Sequence, residues 1–597
     1  MATTTSAEKG TSVRKGGSWL IDEGTAGDVF TPEQLTNEHR LIARTALDFS
    51  LNEVLPQLDA LEQKDWALSR TLVKRAAELG LLATDVAEAY GGLDLDKVSA
   101  LVVAEGISRC ASFGTTFGAM ANLSVLPLSA FGTEDQKQRY LTRIVSGELI
   151  GAYALSESGS GSDALGAKTR ATRQPDGSFT LTGEKMWITN AGFADVFIVF
   201  AKVDGEAFTA FIVERSFPGV STGKEEHKLG LHGSSTAPLI MQDARVPAEN
   251  VLGEIGKGHK VAFNVLNYGR FKLGAMCTGG GRGILAEAAK YAATRKQFGV
   301  PIATFGAIKY KLSEMTTRLY GIESALYRTA GLIDSFIEAQ RAAEGAAFTP
   351  LTALEEFAIE SSIAKVAGSE ILDYVIDENL QIHGGNGYVH DYPAERHYRD
   401  ARVNRIFEGT NEINRLLIAG MLMRRAVKGD LALIPAAKKL QDEVLSPSME
   451  LPPQDDSLDA ALWQVRGFKK TGLLLLGSAM QKFGDKTSDE QEVLQWTSDV
   501  LMDAFMAESA VFRARRNERD TRASGALQGD TARLFVHDAG LRIEAAARQA
   551  LAAIHDGDTL RTMLAALRRI LKPQPINTVT LRRRIADAVV AKGGYPF

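Results

Sequence analysis

The chain has 597 residues, of which 45% are hydrophobic and 24% charged, with a formal net charge of -5. That length is too great for one core, so two or more domains are expected, and the charge balance gives no basic face of the kind that nucleic-acid binders carry. The two cysteines, Cys110 and Cys277, can build neither a disulfide framework nor a Cys-based metal site, which favours a reducing compartment.

Residues 1–30 open with "MATTTSAEKGTSVRKGGSW", rich in hydroxyls and mildly basic but without the apolar segment of a secretory signal. They read as a disordered leader, with a clipped organelle-targeting peptide as the weaker alternative. Across 31–149, segments such as "TPEQLTNEHRLIARTALDFSLNEVL" repeat apolar residues at three- and four-residue spacing behind Thr caps, predicting an N-terminal helical domain. From 150 to 252, "FTLTGEKMWITNAGFADVFIVFAKV" and "FTAFIVE" alternate apolar and polar residues between turns, predicting a small antiparallel β domain. Helical patterns return over 253–427, a bundle interrupted by "QIHGGNGYVHDYP". Pro, Ser and Asp cluster in "LSPSMELPPQDDS", residues 445–457, as in a linker, and the 428–597 region as a whole reads as a C-terminal helical extension. The predicted class is α+β and mainly helical: helical domain, middle β domain, four-helix bundle and an additional helical domain. Helices and strands do not alternate, which rules out a doubly wound nucleotide fold. No apolar run approaches the roughly 20 residues that span a bilayer.

Several motifs allow both a plain and a chemical reading. "SESGSGSDALG", residues 156–166, is either a flexible loop or one whose N–H and Ser groups bind phosphate or flavin oxygens. "GGGRG", residues 279–283, has no strand before it, so close helix packing explains it better than phosphate binding. In "KMWITNAG", Trp187 and Thr189 fall on one side of a strand, where they either pack on the sheet or flank a planar cofactor. Arg295 in "RKQFGVPI" sits at a helix end, compensating the dipole or pairing with a pyrophosphate. In "RIFEGTNEINRL", residues 405–416, Glu408 is a lone carboxylate behind Ile406 and Phe407, before a helix capped by Thr410.

The order of these motifs resembles the acyl-CoA dehydrogenase family, most closely its very-long-chain branch, over about residues 35–427. "YALSESGSGSDA", "KMWITNAGFAD", "RVPAENVLGE", "ATRKQFGVPI", "QIHGGNGY" and "YRDARVNRIFEGTNEI" carry the resemblance. It implies FAD between the β domain and the bundle, at Tyr153, Leu155, Ser156, Trp187 and Thr189, with Thr410 near the adenine-side phosphates. Arg295, Phe298, Gln381, Gly384 and Gly385 match positions that reach the FAD of a neighbouring subunit, which implies at least a homodimer. Ser162 matches a position that holds coenzyme A, and Arg270 an arginine beside the active site.

Glu408 matches the family's catalytic base. Removing a weakly acidic α-hydrogen requires a desolvated carboxylate and hydrogen bonds to the developing enolate. Phe407 and the Gly409 turn suit that task. The alternative base of some relatives would precede Arg270, where Gly269 stands. Three positions depart from the pattern: Ser156 and Ser158 replace Thr and Pro, and Asn267 replaces an acid that would pair with Arg270.

Thr115, Gly118 and Ala119 fall where medium-chain relatives carry larger polar side chains, so a deeper pocket and long-chain fatty acyl-CoA are expected. The implied redox partner is an electron-transferring flavoprotein, with an acyl-CoA oxidase or a respiratory-complex assembly partner as competing functions. The implied setting is the bacterial cytoplasm, or the mitochondrial matrix of a eukaryote. "LRTMLAALRRILK" in the extension offers a basic amphipathic face for peripheral membrane contact, against the plainer reading of a core helix with solvated arginines.

Overall fold

The computed structural model describes residues 14–345, 349–445, 453, 455, 457–518, 523–573 and 575–597. In the N-terminal region, helix α1 (Asn37–Phe49) starts from a capping box between Thr36 and His39. Helix α2 (Lys97–Ile107) starts at Asp96, which accepts from Ser99 N–H, and is buried on every side. Its nearly continuous run "KVSALVVAEGI" is what an enclosed helix requires. Helix α3 (Ala111–Gly118) follows.

The middle region forms one sheet from β1 (Gly151–Ala154), β2 (Arg170–Arg173), β3 (Phe179–Thr189), β4 (Val196–Val203), β5 (Ala207–Glu214), β6 (Val220–Thr222), β7 (Thr236–Val246) and β8 (Val251–Leu252). The order is β6-β7-β3-β2-β4-β5-β8, with β1 paired to β4. The sheet is mixed rather than purely antiparallel, because β4 runs parallel to both β1 and β2. Its sequence "VFIVFAKV" is buried at seven of eight positions, the unbroken apolar run of a strand covered on both faces rather than the alternation of an exposed one. A register shift interrupts β3 between Lys185 and Ile188. Trp187 there has φ +59°, so Trp187 and Thr189 are not related by simple strand alternation.

The bundle consists of α4 (Gly258–Thr294), α5 (Gly306–Glu344), α6 (Ala358–His383) and α7 (Asn411–Lys428). A Cβ on Gly368 would stand 3.0 Å from Gly274 Cα, so α4 and α6 meet almost backbone to backbone. "GGGRG" lies inside α4, and a Cβ on Gly279 would run into the Glu105 carbonyl of α2. Close helix packing is its structural role, as the sequence predicts.

The extension adds α8 (Leu458–Phe483), α9 (Gln491–Asn517), α10 (Ala523–Ile554), α11 (Gly557–Leu571) and α12 (Thr578–Lys592). Most of the linker read at 445–457 lies outside the described residues. Two large cores result: the first N-terminal helices share one with the sheet, while the bundle and extension share the other. Ion pairs pin that second seam, the Arg513–Glu323 pair fully buried and the Arg415 pairs partly exposed. Arg513 of α9 pairs with Glu323 of α5 at 2.6 Å, each 1% exposed, and with Glu33 at 2.8 Å. Arg415 of α7 pairs with Glu370 of α6 and Asp499 of α9 at 2.7 and 2.8 Å.

One expectation needs correction, and of the two readings of the basic helix the core-helix one fits the packing. The leader reading of 1–30 does not hold for 14–30: Trp19 and Leu20 are buried, Trp19 sits 5.0 Å from the Phe505 ring, and Glu360 accepts from Gly17 N–H at 2.7 Å. An apolar pair inside a hydroxyl-rich segment outweighs its average composition. Residues 1–13 lie outside the described residues. The basic helix in the extension, α11, turns Ala566, Leu567, Ile570 and Leu571 into the shared core. The apolar face that membrane contact would use is therefore occupied within the chain. No helix among the described residues is long and apolar enough to cross a membrane.

Arg513→Met is expected to destabilise the protein by roughly 3–5 kcal/mol, because it strips Glu33 of its cation and leaves buried Glu323 with Arg282 alone. Thermal unfolding of wild type and variant checks this, and the loss should exceed that of Arg561→Met, whose side chain is 83% exposed.

Candidate active site

Two cavities meet at Glu408. The larger, about 1130 Å³, lies between the sheet and the bundle; the smaller, about 400 Å³, runs between α3 and α4. Glu408 and the preceding Phe407 line both.

The loop that presents Glu408 is backbone-strained and firmly held. Glu408 and Gly409 take φ +57° and +77°, a left-handed pair that a non-glycine residue adopts only under constraint. The constraint comes from three side chains on its carbonyls. Arg270 Nε donates to the Glu408 carbonyl at 3.2 Å, and Lys365 Nζ to that of Gly409 at 2.7 Å and to Asn411 Oδ1 at 2.6 Å. Asn414 Nδ2 donates to the Gly409 and Thr410 carbonyls at 2.8 and 3.0 Å. Thr410 caps α7 by accepting from Ile413 N–H.

Glu408 Oε2 is buried without a hydrogen-bond partner. Burial raises the carboxyl to about 7, and Arg270 and Lys365 restrain the rise. A buried acid of this kind is a base at neutral pH because its proton affinity is raised while its cationic neighbours keep the charged form accessible. Gly269 makes the placement possible: a Cβ there would stand 2.8 Å from Glu408 Oε2. Where the sequence predicts a lost ion pair at Asn267, its Oδ1 accepts from Arg270 Nη1 at 3.0 Å, a neutral bond in its place.

The larger cavity gathers Tyr153, Leu155, Ser156, Ser162, Trp187, Thr189, Arg270, Gly409 and Thr410. Tyr153 Oη is buried and unpartnered, and Trp187 is 57% exposed, an aromatic face toward the cleft. Lys260, Arg402 and Arg424 also line it, donors suited to phosphate oxygens, while Lys228 and Arg399 there already donate to Ser234 and Thr236 and to Glu395. The "SESGSGS" loop is anchored at Glu157, which accepts from Lys185 Nζ, Lys168 N–H and Thr169 Oγ1 at 2.7, 2.6 and 2.6 Å. Thr115, Gly118 and Ala119 line the smaller cavity. The Thr115 hydroxyl is tied back to the Ala111 carbonyl at 2.9 Å.

Arg295, Phe298, Gln381, Gly384 and Gly385 line neither cavity. They gather at the far end of α4 and α6, where the Tyr291 and His383 rings stack 4.0 Å apart. Arg295 is the α4 C-cap, and Phe298 in the following hairpin is 94% exposed. From Gly269 to Arg295 the helix advances about 39 Å. Lys365 and Asn414 leave no trace in the sequence, since a lone Lys or Asn in a helical pattern carries no spacing signal.

Profiles of the acyl-CoA dehydrogenase family match its N-terminal domain at 36–148, its middle domain at 152–244, and C-terminal domains at 256–423 and 467–569. A "Probable acyl-CoA dehydrogenase" of Bacillus subtilis is 46% identical over 99% of this chain and its own whole length. The human mitochondrial short-chain specific acyl-CoA dehydrogenase is 39% identical over 66% of this chain and 92% of its own. A crystal structure of an acyl-CoA dehydrogenase from Bacillus anthracis complexed with FAD superposes with a TM-score of 0.94 at 47% identity, covering 98% of this chain and all of that one. The chain belongs to the acyl-CoA dehydrogenase family.

The ascending limb of log kcat/KM against pH is expected at about 7, where Glu408 loses its proton. Lys365→Met removes a nearby positive charge and so moves that limb to higher pH, measured with a saturating electron acceptor.

Proposed function

We propose that this chain is an FAD-dependent dehydrogenase of long-chain acyl-CoA thioesters, with Glu408 as base, that passes electrons to an electron-transferring flavoprotein. The observation that carries the reading is the desolvated Glu408 carboxylate on the wall shared by both cavities.

The larger cavity fits FAD. The unpartnered Tyr153 Oη, the exposed Trp187 face and the polar groups of Ser156, Thr189 and Thr410 are what a planar, polar-edged ring system and its phosphates would use. When bound, FAD supplies the acceptor for the substrate β-hydrogen, which leaves as hydride. The chain supplies the rest. Glu408 takes the α-proton, and its own N–H, free of hydrogen bonds among the described residues, stabilises the thioester oxygen as enolate charge develops. The product is a trans-2-enoyl-CoA. Ser162 and the cations of the larger cavity hold the coenzyme A portion.

Arg295, Phe298, Gln381, Gly384 and Gly385, remote from Tyr153 and Thr189, support a homodimer in which this end of one protomer completes the FAD site of its partner.

The smaller cavity supports long chains. Its α4 wall runs from Gly269 through Leu273, Cys277, Gly280 and Ile284 to Lys290, a stripe of about 31 Å along the helix axis. The Cys277 thiol within it is pushed up to about 12 by burial and serves as an apolar wall.

Anaerobic titration of the purified protein with palmitoyl-CoA is expected to bleach the visible flavin band in wild type and to leave it intact in Glu408→Gln. Bleaching of the variant would remove Glu408 as base, and an intact wild-type band would remove the substrate class. In steady state, kcat/KM for palmitoyl-CoA is expected to exceed that for butyryl-CoA by at least ~10-fold, several buried CH₂ groups at ~0.8 kcal/mol each being ample for this. The reverse order would overturn the long-chain reading.

A further inference from the structure

The end of the smaller cavity remote from Glu408, where Lys290 is exposed, carries charge that an alkyl chain does not need. Arg109, Glu287 and Lys290 line it together with His397. Glu287 Oε1 is bonded to His397 Nε2 at 3.1 Å, while its Oε2 is buried and unpartnered. Arg109 Nε is likewise buried without a partner, and the guanidinium makes no ion pair among the described residues. The neighbouring Arg282 pairs with Glu105 and Glu323, while Glu287 and Glu105 act on Arg109 only through space and offset part of its desolvation. Burial, with Arg282 nearby, lowers Arg109 to about 10. A cation held in this way costs free energy that an oxygen acceptor would return.

Its seat is built into the glycine run of α4. A Cβ on Gly283 would overlap Arg109 Nη1, so the guanidinium lies directly on the helix backbone. Gly283 stands fourteen residues beyond Gly269, whose missing Cβ makes room for the Glu408 carboxylate. Fourteen residues are close to four turns, so both glycines share one helix face about 21 Å apart. An extended alkyl chain advances about 1.3 Å per carbon, given single bonds of about 1.5 Å. The axial separation of the two glycines therefore matches a chain of roughly 16 carbons.

We propose that Arg109 is a specificity-determining residue that receives an oxygen at the far end of the acyl chain, so that the enzyme takes long-chain acyl-CoA bearing a terminal carboxylate or hydroxyl. The proposal rests on the acyl-CoA reading above and refines its substrate. Arg109 can donate to either group. The Glu287 carboxylate opposes a second negative charge and can accept from a hydroxyl, so the two termini are separable by experiment.

The test compares palmitoyl-CoA, 16-hydroxyhexadecanoyl-CoA and the mono-CoA ester of hexadecanedioic acid, in wild type, Arg109→Met and Gly283→Ala. The reading is the ratio of kcat/KM for each oxygenated thioester to that for palmitoyl-CoA. Arg109→Met is expected to lower at least one ratio by ~10-fold or more, and Gly283→Ala, which displaces the guanidinium but keeps it, to lower the same ratio by less. A ratio that stays constant for both thioesters in both variants overturns the proposal. Equilibrium binding of the three thioesters to Glu408→Gln, with and without Arg109→Met, gives the same ratios without turnover. If palmitoyl-CoA fails to reduce the flavin, the dehydrogenase reading falls, while those binding ratios still decide the role of Arg109.

Discussion

The burial of the Glu408 carboxylate, with Oε2 unpartnered, is a cost that the surrounding elements must offset, and much of their arrangement follows from it. A carboxylate removed from water either pairs or takes up a proton. Here Arg270 and Lys365 stand close enough to restrain its pKa, yet both spend hydrogen bonds on backbone carbonyls of the same loop. The loop is thereby fixed in a strained left-handed geometry while the carboxylate remains open to the cavities. One pair of cations does both jobs, and the carboxylate is left free of a direct salt bridge.

Holding that loop requires α4, α6 and α7 to keep a fixed relation, since Arg270, Lys365 and Asn414 come one from each. The extension reinforces this relation from behind. Arg415 joins α7 to α6 and α9, and Arg513 joins α5 to α9 and the N-terminal segment. A buried pair such as Arg513–Glu323 adds little net stability over apolar packing, but it penalises every arrangement in which a partner is missing. These pairs specify one docking of the extension.

The sequence carries the broad plan well. The helix-sheet-helix order, the Thr410 cap and Glu408 itself are legible because each leaves a local trace: periodicity, capping chemistry, or a carboxylate between apolar residues and a Gly turn. What it hides is long-range. Lys365 and Asn414 reach the loop only through tertiary packing, and the burial of Trp19 depends on a groove formed with Phe505. The parallel pairing of β4 is equally silent in a pattern that records only which faces are covered. "GGGRG" illustrates the limit from the other side: helix packing is evident from context, but that Gly283 seats a charged group depends on Arg109, far away in sequence.

The shared core of bundle and extension also bears on how the chain comes to be folded. Glu323 and the Gly321 position, where a Cβ would strike the Phe535 ring, belong to a helix made long before its partners. Arg513 follows Glu323 by 190 residues, and at synthesis rates of about 5–20 residues per second that is a wait of roughly 10–40 s. Through that interval α5 presents an acid paired only with Arg282, and an unfilled groove, to solvent or to a chaperone. The first core, complete by about residue 265, can close on the ribosome; the half that steadies the Glu408 loop must assemble later.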